Sequence, residues 1–282
     1  MNWIRQEQIN WNAASRDNWS FSSSHRQRVM ELLKTDCPRE TQRLCVLGAG
    51  NCNDLDLSKL VESFCEVHLV DLDGDALQAA LERQGMAGHS SIVTHGGIDL
   101  TGVCDDLAQY SPHHPPSEID LRRIIAAADS FRLPDEIGRF ETVISTCLLS
   151  QLHNAVVRSV GKSHLHFLDM LKAVRHGHLR LLTDLTLPGG RGVLVSDFTS
   201  SETVSDLPIV PEAELCEFLV KTLNSGNFFH GLNPVVLASL FKQDSIIAPR
   251  VTNVELSKPW RWNFGCRVYA VVSIGFRRQS EP

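Results

Sequence analysis

Gly48-Ala49-Gly50 closes a short apolar run at residues 44–47, and acidic residues follow at 54, 56, 71, 73 and 99. Those residue types at that spacing suit the holding of a nucleotide-like ligand. Glycines after a strand permit positive φ and let a ligand approach the backbone. Asp71 stands 21 residues after Gly50, near the spacing at which a carboxylate grips the cis-diol of a ribose. A dinucleotide would ask for more: a third glycine, due at position 53, and a free helix N-terminus for its pyrophosphate. The chain offers Asn53 instead, with Asp54 and Asp56 where that helix should begin. Carboxylates there offset the helix dipole and repel phosphate.

The elements that must position these residues follow from periodicity. Apolar runs at 44–47, 67–70, 91–95, 140–145 and 192–197 read as buried strands. Helical spacing fills 25–33, 55–65 and 75–84 between them. Ser117 opens a further helix, with Leu121, Ile124, Ile125 and Ala128 in phase. Two more helical stretches occupy 148–187, with a break near Gly161, and Leu187-Pro188-Gly189-Gly190 reads as a turn. Pro211 starts another helix through 223, and Asn233-Pro234 has the cap and first-turn chemistry of one through 241. Residues 251–256 and 266–276 are β-rich, joined by "SKPWRWNFG". Paired tryptophans in that link predict an edge or dimer contact.

Alternating strands and helices predict an α/β, doubly wound, mostly parallel seven-stranded sheet with helices on both faces and an antiparallel C-terminal strand pair. Residues 1–43 are expected to form an N-terminal helical arm, and 44–282 a single Rossmann-like domain. In such sheets ligands bind outside the carboxyl ends of the strands. Those ends carry Gly48, Ala49, Gly50 and Asn51; Asp71, Leu72 and Asp73; Asp99 and Leu100; Ser145, Thr146 and Cys147; and Asp197. A ligand with an adenosine part and positive charge fits that rim. S-adenosylmethionine is one, with a sulfonium, an ammonium and no phosphate.

The same stretches resemble the class I S-adenosylmethionine-dependent methyltransferases. "CVLGAGNCND" matches the glycine-rich loop, "VHLVDLD" the acidic end of strand two, "GGIDL" the adenine-side acidic loop, "FETVISTCLLSQLH" strand four, and "LLTDLTLPGGRGVLVSD" the approach to strand five. The resemblance spans roughly residues 40 to 200. It implies that Gly48, Ala49 and Gly50 contact the methionine part, with Asn51 and Asp54 beside them. Asp71 and Leu72 would hold the ribose, Asp99 and Leu100 flank the adenine, and Thr146 and Cys147 line the transfer side. An N-terminal element can close over the cofactor, where Arg26 would meet the methionine carboxylate. After strand four the chain has Ser145-Thr146-Cys147-Leu148 rather than an Asn/Asp-Pro-Pro-aromatic signature, which disfavours base- or glutamine-directed N-methylation. His153, Asp197 and His230 are candidates for a general base, needed only if the acceptor must lose a proton.

Composition narrows the class. With 282 residues, 43% of them hydrophobic, the chain can build a core without staples. A net charge of −6 counts against a nucleic-acid partner. No C-x-x-C pair occurs among the eight cysteines, so no metal is expected and a reduced cytoplasm is. His164/His166 and His176/His178 are spaced to leave opposite sides of a helix. The longest apolar stretch is too short for a membrane span. The expected reading is methyl transfer to a small-molecule acceptor, with a homodimer contact allowed. The alternatives are an NAD(P)-dependent oxidoreductase and a non-catalytic S-adenosylmethionine-binding protein, the latter with a closed acceptor side beside Cys147.

Overall fold

The computed structural model describes residues 2–35 and 37–280. Strands β1 (Arg43–Leu47), β2 (Glu66–Val70), β3 (Ile92–His95), β4 (Phe140–Thr146) and β5 (Thr186–Ser200) form the parallel part of one sheet. Strands β6 (Val251–Leu256), β7 (Trp260–Asn263) and β8 (Val268–Arg278) complete it. The order is β3-β2-β1-β4-β5-β8-β6, with β7 also paired to β8. β8 runs antiparallel to β5, β6 and β7. Strand order reverses between β1 and β4, the place where open α/β sheets leave a crevice.

Successive side chains of a strand leave opposite faces, so the strands feed two cores. Cys45 and Leu47 join one core with Val143, Leu194 and Phe198. Leu44 and Val46 join the other with Val67, Leu69, Ile144 and Val193. Cover on both faces explains why each strand reads as a continuous apolar run.

The helices in chain order are α1 (Trp3–Ser15), α2 (Ser23–Leu32), α3 (Leu57–Ser63), α4 (Gly74–Arg83), α5 (Cys104–Leu107), α6 (Glu118–Ser130), α7 (Leu149–Val160), α8 (Phe167–Leu185), α9 (Leu215–Asn224) and α10 (Pro234–Gln243). Their starts follow local chemistry. Ser117 Oγ accepts from the Asp120 amide at 3.2 Å, and Asn233 Oδ1 from the Val235 amide at 3.0 Å. Gly161, at φ 81°, ends α7.

The structure departs from the sequence reading in four places. α1 forms within the polar arm, its N-cap Asn2 accepting from the Ile4 and Arg5 amides. The sheet has eight strands rather than seven, because the tryptophan link contains β7. β5 runs through the expected turn at 187–190, which the sheet absorbs as a bulge: Phe140 pairs with Thr186, but Thr142 pairs with Arg191. The helix expected from Pro211 begins at Leu215.

The tryptophan pair lies on β7, which pairs only with β8 among the described residues, and it makes an internal contact with α2. Trp260 Nε1 donates to His25 Nδ1 at 3.0 Å, and Trp262 stacks on the same imidazole at 4.5 Å. Burial pushes His25 down to about 3, so it stays a neutral acceptor. The C-terminal strands thereby hold α2 against the sheet. Trp260→Phe should destabilise the fold by about 1–3 kcal/mol, since it strands a buried ring nitrogen. Chemical denaturation checks this, and an unchanged midpoint would remove the bond from the account.

Candidate functional site

The glycine loop is folded by its own amides and by β2. The Gly48 and Ala49 amides donate to Val70 O at 2.9 and 3.2 Å. Gly48 takes φ 77°, and a Cβ there would lie 2.9 Å from Leu148 Cβ. The Gly50 amide donates to Asp71 Oδ2 at 2.8 Å, and the Asp73 amide to Asp71 Oδ1 at 2.9 Å. Loop and strand-two exit are therefore one unit centred on the Asp71 carboxylate, only 5% exposed.

Two further carboxylates face the same crevice region. Asp54 is hydrogen-bonded to Thr146 and lies in the field of Arg26 and Asp71. Asp197, at 3% exposure, accepts from Ser150 Oγ at 2.8 Å and acts electrostatically on Cys147 and Tyr269. Burial raises Asp54, Asp71 and Asp197 to about 6 each. No ion pair among the described residues neutralises any of the three. An acid whose folded pKa exceeds its ordinary 3.8 stabilises the fold most while protonated. The stability these groups contribute is complete below about pH 4 and is lost as the pH rises through 6.

The helix after the loop is already capped. α3 starts at Leu57, and Asp56 Oδ1 accepts from the Lys59 amide at 3.3 Å and from Ser58 Oγ at 2.7 Å. A pyrophosphate would have to displace a carboxylate from that end.

On the far side of Asp71 opens a cleft with about 540 Å³ of empty space, mouth included. Leu72, Ile98 and Leu100 form its sheet side, Leu148 and Leu152 its α7 wall, and Ile4 and Gln8 its α1 wall. Asp99 belongs to this cleft, but its carboxylate is engaged. Oδ1 accepts from the Thr101 amide and hydroxyl at 2.8 and 2.7 Å, and Oδ2 from the Cys104 amide at 2.8 Å.

Asp71, Leu72, Asp99 and Leu100 line the cleft, while Gly48, Ala49 and Gly50 are tied to the exit of β2, Thr146 meets Asp54 and donates to Gly48 O at 3.4 Å, and Cys147 follows it beyond β4. Asn51 faces the arm, donating to Asn12 O at 2.6 Å and Ser15 Oγ at 3.1 Å. Arg26 lies 3.5 Å over the Trp19 ring and donates to Trp19 O and Asn53 O at 2.9 and 2.8 Å. Its guanidinium is thus engaged in bracing the loop. His153 is buried on α7, its Nδ1 against His230 O at 2.8 Å, and burial lowers it to about 4. His230 is exposed and does not join the carboxylates. No group of three His, Cys, Asp or Glu among the described residues could hold a metal. His164 and His166 lie in the turn before α8 rather than on a helix.

Sequence reasoning missed α1. Asn12 Nδ2 donates to Asp73 Oδ2 at 3.0 Å, and Ser15 O accepts from Asn53 Nδ2 at 2.8 Å. At the other end Arg5 pairs with Asp105 on α5 at 3.3 Å. The helix spans the crevice from the segment after β3 to the glycine loop.

The reversal at β1/β4, the glycine turn bound to a strand-two aspartate, and the antiparallel C-terminal strands decide the architecture. This is a Rossmann-like, doubly wound α/β fold with an antiparallel C-terminal end. No protein-family model matches the sequence, and no curated protein does. Among solved methyltransferase structures, the N-methyltransferase NodS of Bradyrhizobium japonicum WM9 is similar at 12% identity and a TM-score of 0.48, over 94% of this chain and 99% of that one. An O-methyltransferase family protein of Burkholderia thailandensis is similar at 12% and 0.48, over 98% of this chain and 60% of that one. The magnesium protoporphyrin IX methyltransferase ChlM of Synechocystis PCC 6803, solved with bound SAH, is similar at 12% and 0.45, over 92% and 84%. No helix among the described residues is long and apolar enough to cross a membrane.

Proposed function

We propose that the chain binds S-adenosylmethionine at the β1/β4 crevice and transfers its methyl group to a small-molecule acceptor. The observation that carries this reading is a set of carboxylates that form no ion pair among the described residues, half-buried Asp54 and buried Asp71 beside the glycine loop and buried Asp197 on β5. A buried charge is stable only with a partner, and a ligand bearing ammonium and sulfonium supplies one. Gly48, Ala49, Gly50 and Asn51 would seat the methionine part, Asp71 and Leu72 the ribose. The bound cofactor supplies an electrophilic methyl group, and alignment of the acceptor supplies much of the rate. Asp197 is the better-placed proton acceptor of the three candidates. It lies on β5, two residues beyond the last pairing with β4, in the field of Cys147, whereas His153 is tied to His230 O and His230 faces solvent.

A cation that needs these acids ionised binds with the opposite pH sign to fold stability. Affinity for S-adenosylmethionine should rise about tenfold per pH unit for each group that must ionise below pH 6, then level off. Calorimetry from pH 5 to 7.5 checks this; affinity that is flat or falls over that range contradicts the electrostatic reading.

One observation favours a second reading. Cys147 and Asp197 are 4% and 3% exposed, so the transfer side is closed in this conformation. A non-catalytic S-adenosylmethionine-binding protein would keep it so. Turnover of the cofactor to S-adenosylhomocysteine with any small nucleophile separates the two. The oxidoreductase alternative is disfavoured by the Asp56 cap on α3.

A further inference from the structure

Among the described residues, the apolar cleft beside Asp71 contains one fully buried hydrogen-bonding atom that has no partner. Gln151 lines that cleft from α7. Its Nε2 donates to Cys147 O at 3.4 Å, which fixes the orientation of the amide. Its Oε1 is shielded from solvent and has no partner. An unmatched buried carbonyl costs about 1–3 kcal/mol, so it needs a donor. The other polar liners are engaged. Asp71 accepts from two amides, Asp99 from two amides and a hydroxyl, and Thr101 Oγ1 both donates to Asp99 and accepts from the Val103 amide. The side chain of Gln8, across the cleft on α1, makes no hydrogen bond among the described residues. The walls between them are Leu100, Leu107, Leu148 and Leu152, a seat for a flat apolar group.

We infer that Gln151, and not Asp99, reads the exocyclic amine of an adenine base in this cleft, with Gln8 closing over the base from α1. The inference rests on the proposed cofactor reading and sharpens it. The resemblance implies Asp99 beside the adenine, but in this chain that carboxylate is taken up by the Thr101 amide and hydroxyl and the Cys104 amide. A carbonyl oxygen accepts from an amine and repels another carbonyl. Adenine therefore fits, and hypoxanthine, which carries a carbonyl at that position, does not.

The test is titration of the full chain with S-adenosylhomocysteine and with S-inosylhomocysteine. The wild-type chain should prefer the adenosyl compound by about tenfold or more, the effect of one buried hydrogen bond made or opposed. Gln151→Leu should bring the ratio close to one. Gln151→Glu keeps an acceptor oxygen and should retain a preference for adenine, which separates recognition from damage to packing. Asp99→Asn should leave the ratio unchanged. A ratio that survives Gln151→Leu, or collapses in Asp99→Asn, overturns the inference while leaving the cofactor reading intact. Absence of S-adenosylhomocysteine binding to the wild-type chain overturns both.

Discussion

Asp71→Ala should abolish binding of the cofactor, weakening it by at least about 100-fold, while the chain stays folded. The carboxylate joins the Gly50 amide at 2.8 Å to the Asp73 amide at 2.9 Å, so it shapes the loop on which the proposed cofactor would sit as well as offering that cofactor a carboxylate. Hydrogen bonds to a charged group are each worth about 1.5–3 kcal/mol, and loss of two spans that factor. Fold stability should change far less. The substitution strands two amides, at about 1–3 kcal/mol each, but removes a buried acid that lacks a counter-ion. Asp71→Asn should rank between the two, since its amide keeps one acceptor oxygen. Affinity by calorimetry and melting by circular dichroism separate the effects. Unchanged affinity in Asp71→Ala would remove that residue from the site.

Gly48→Ala should cost both stability and binding. The residue holds φ 77°, where a Cβ is strained by about 1–2 kcal/mol. That Cβ would also lie 2.9 Å from Leu148 Cβ and 3.1 Å from its Cδ2, an overpacking worth about 1–3 kcal/mol. The sum, about 2–5 kcal/mol, should lower the melting temperature by roughly 5–15 °C in a chain of this size. Leu148 also lines the cleft beside Asp71, so relief by moving it would disturb that wall. Ala49→Gly, one position on, needs no such movement and serves as the control. A Gly48→Ala chain that melts with the wild type would show that the turn is not under this constraint.

The sheet and its rim were legible because period and position carry them. Residues 44–47 end at a glycine, 67–70 at Asp71 and 192–197 at Asp197, and the exits of parallel strands meet at one edge. α1 was not legible, because the face it turns inward is polar. Asn12 and Ser15 contact the loop through amide and hydroxyl groups, and a polar helix gives no apolar stripe to find. β7 was hidden in "WRWN", four residues whose pairing is set by β8 rather than by their own pattern. Asp99 shows the limit of a motif: position placed it beside the cleft, but Thr101 and Cys104 claim its oxygens. Arg26 was near the loop as expected, yet Trp19 and two backbone carbonyls hold it. Gln151 had no signal in spacing, since only the geometry of α7 reveals an unmatched oxygen.

The central claim is that a glycine turn leading into carboxylates selects a cationic methyl donor over a dinucleotide. Parallel calorimetric titration with S-adenosylhomocysteine and NADH tests it most directly. The predicted result is saturable one-to-one binding of S-adenosylhomocysteine and none of NADH, because Asp56 already occupies the start of α3. Binding of NADH without binding of S-adenosylhomocysteine would contradict it.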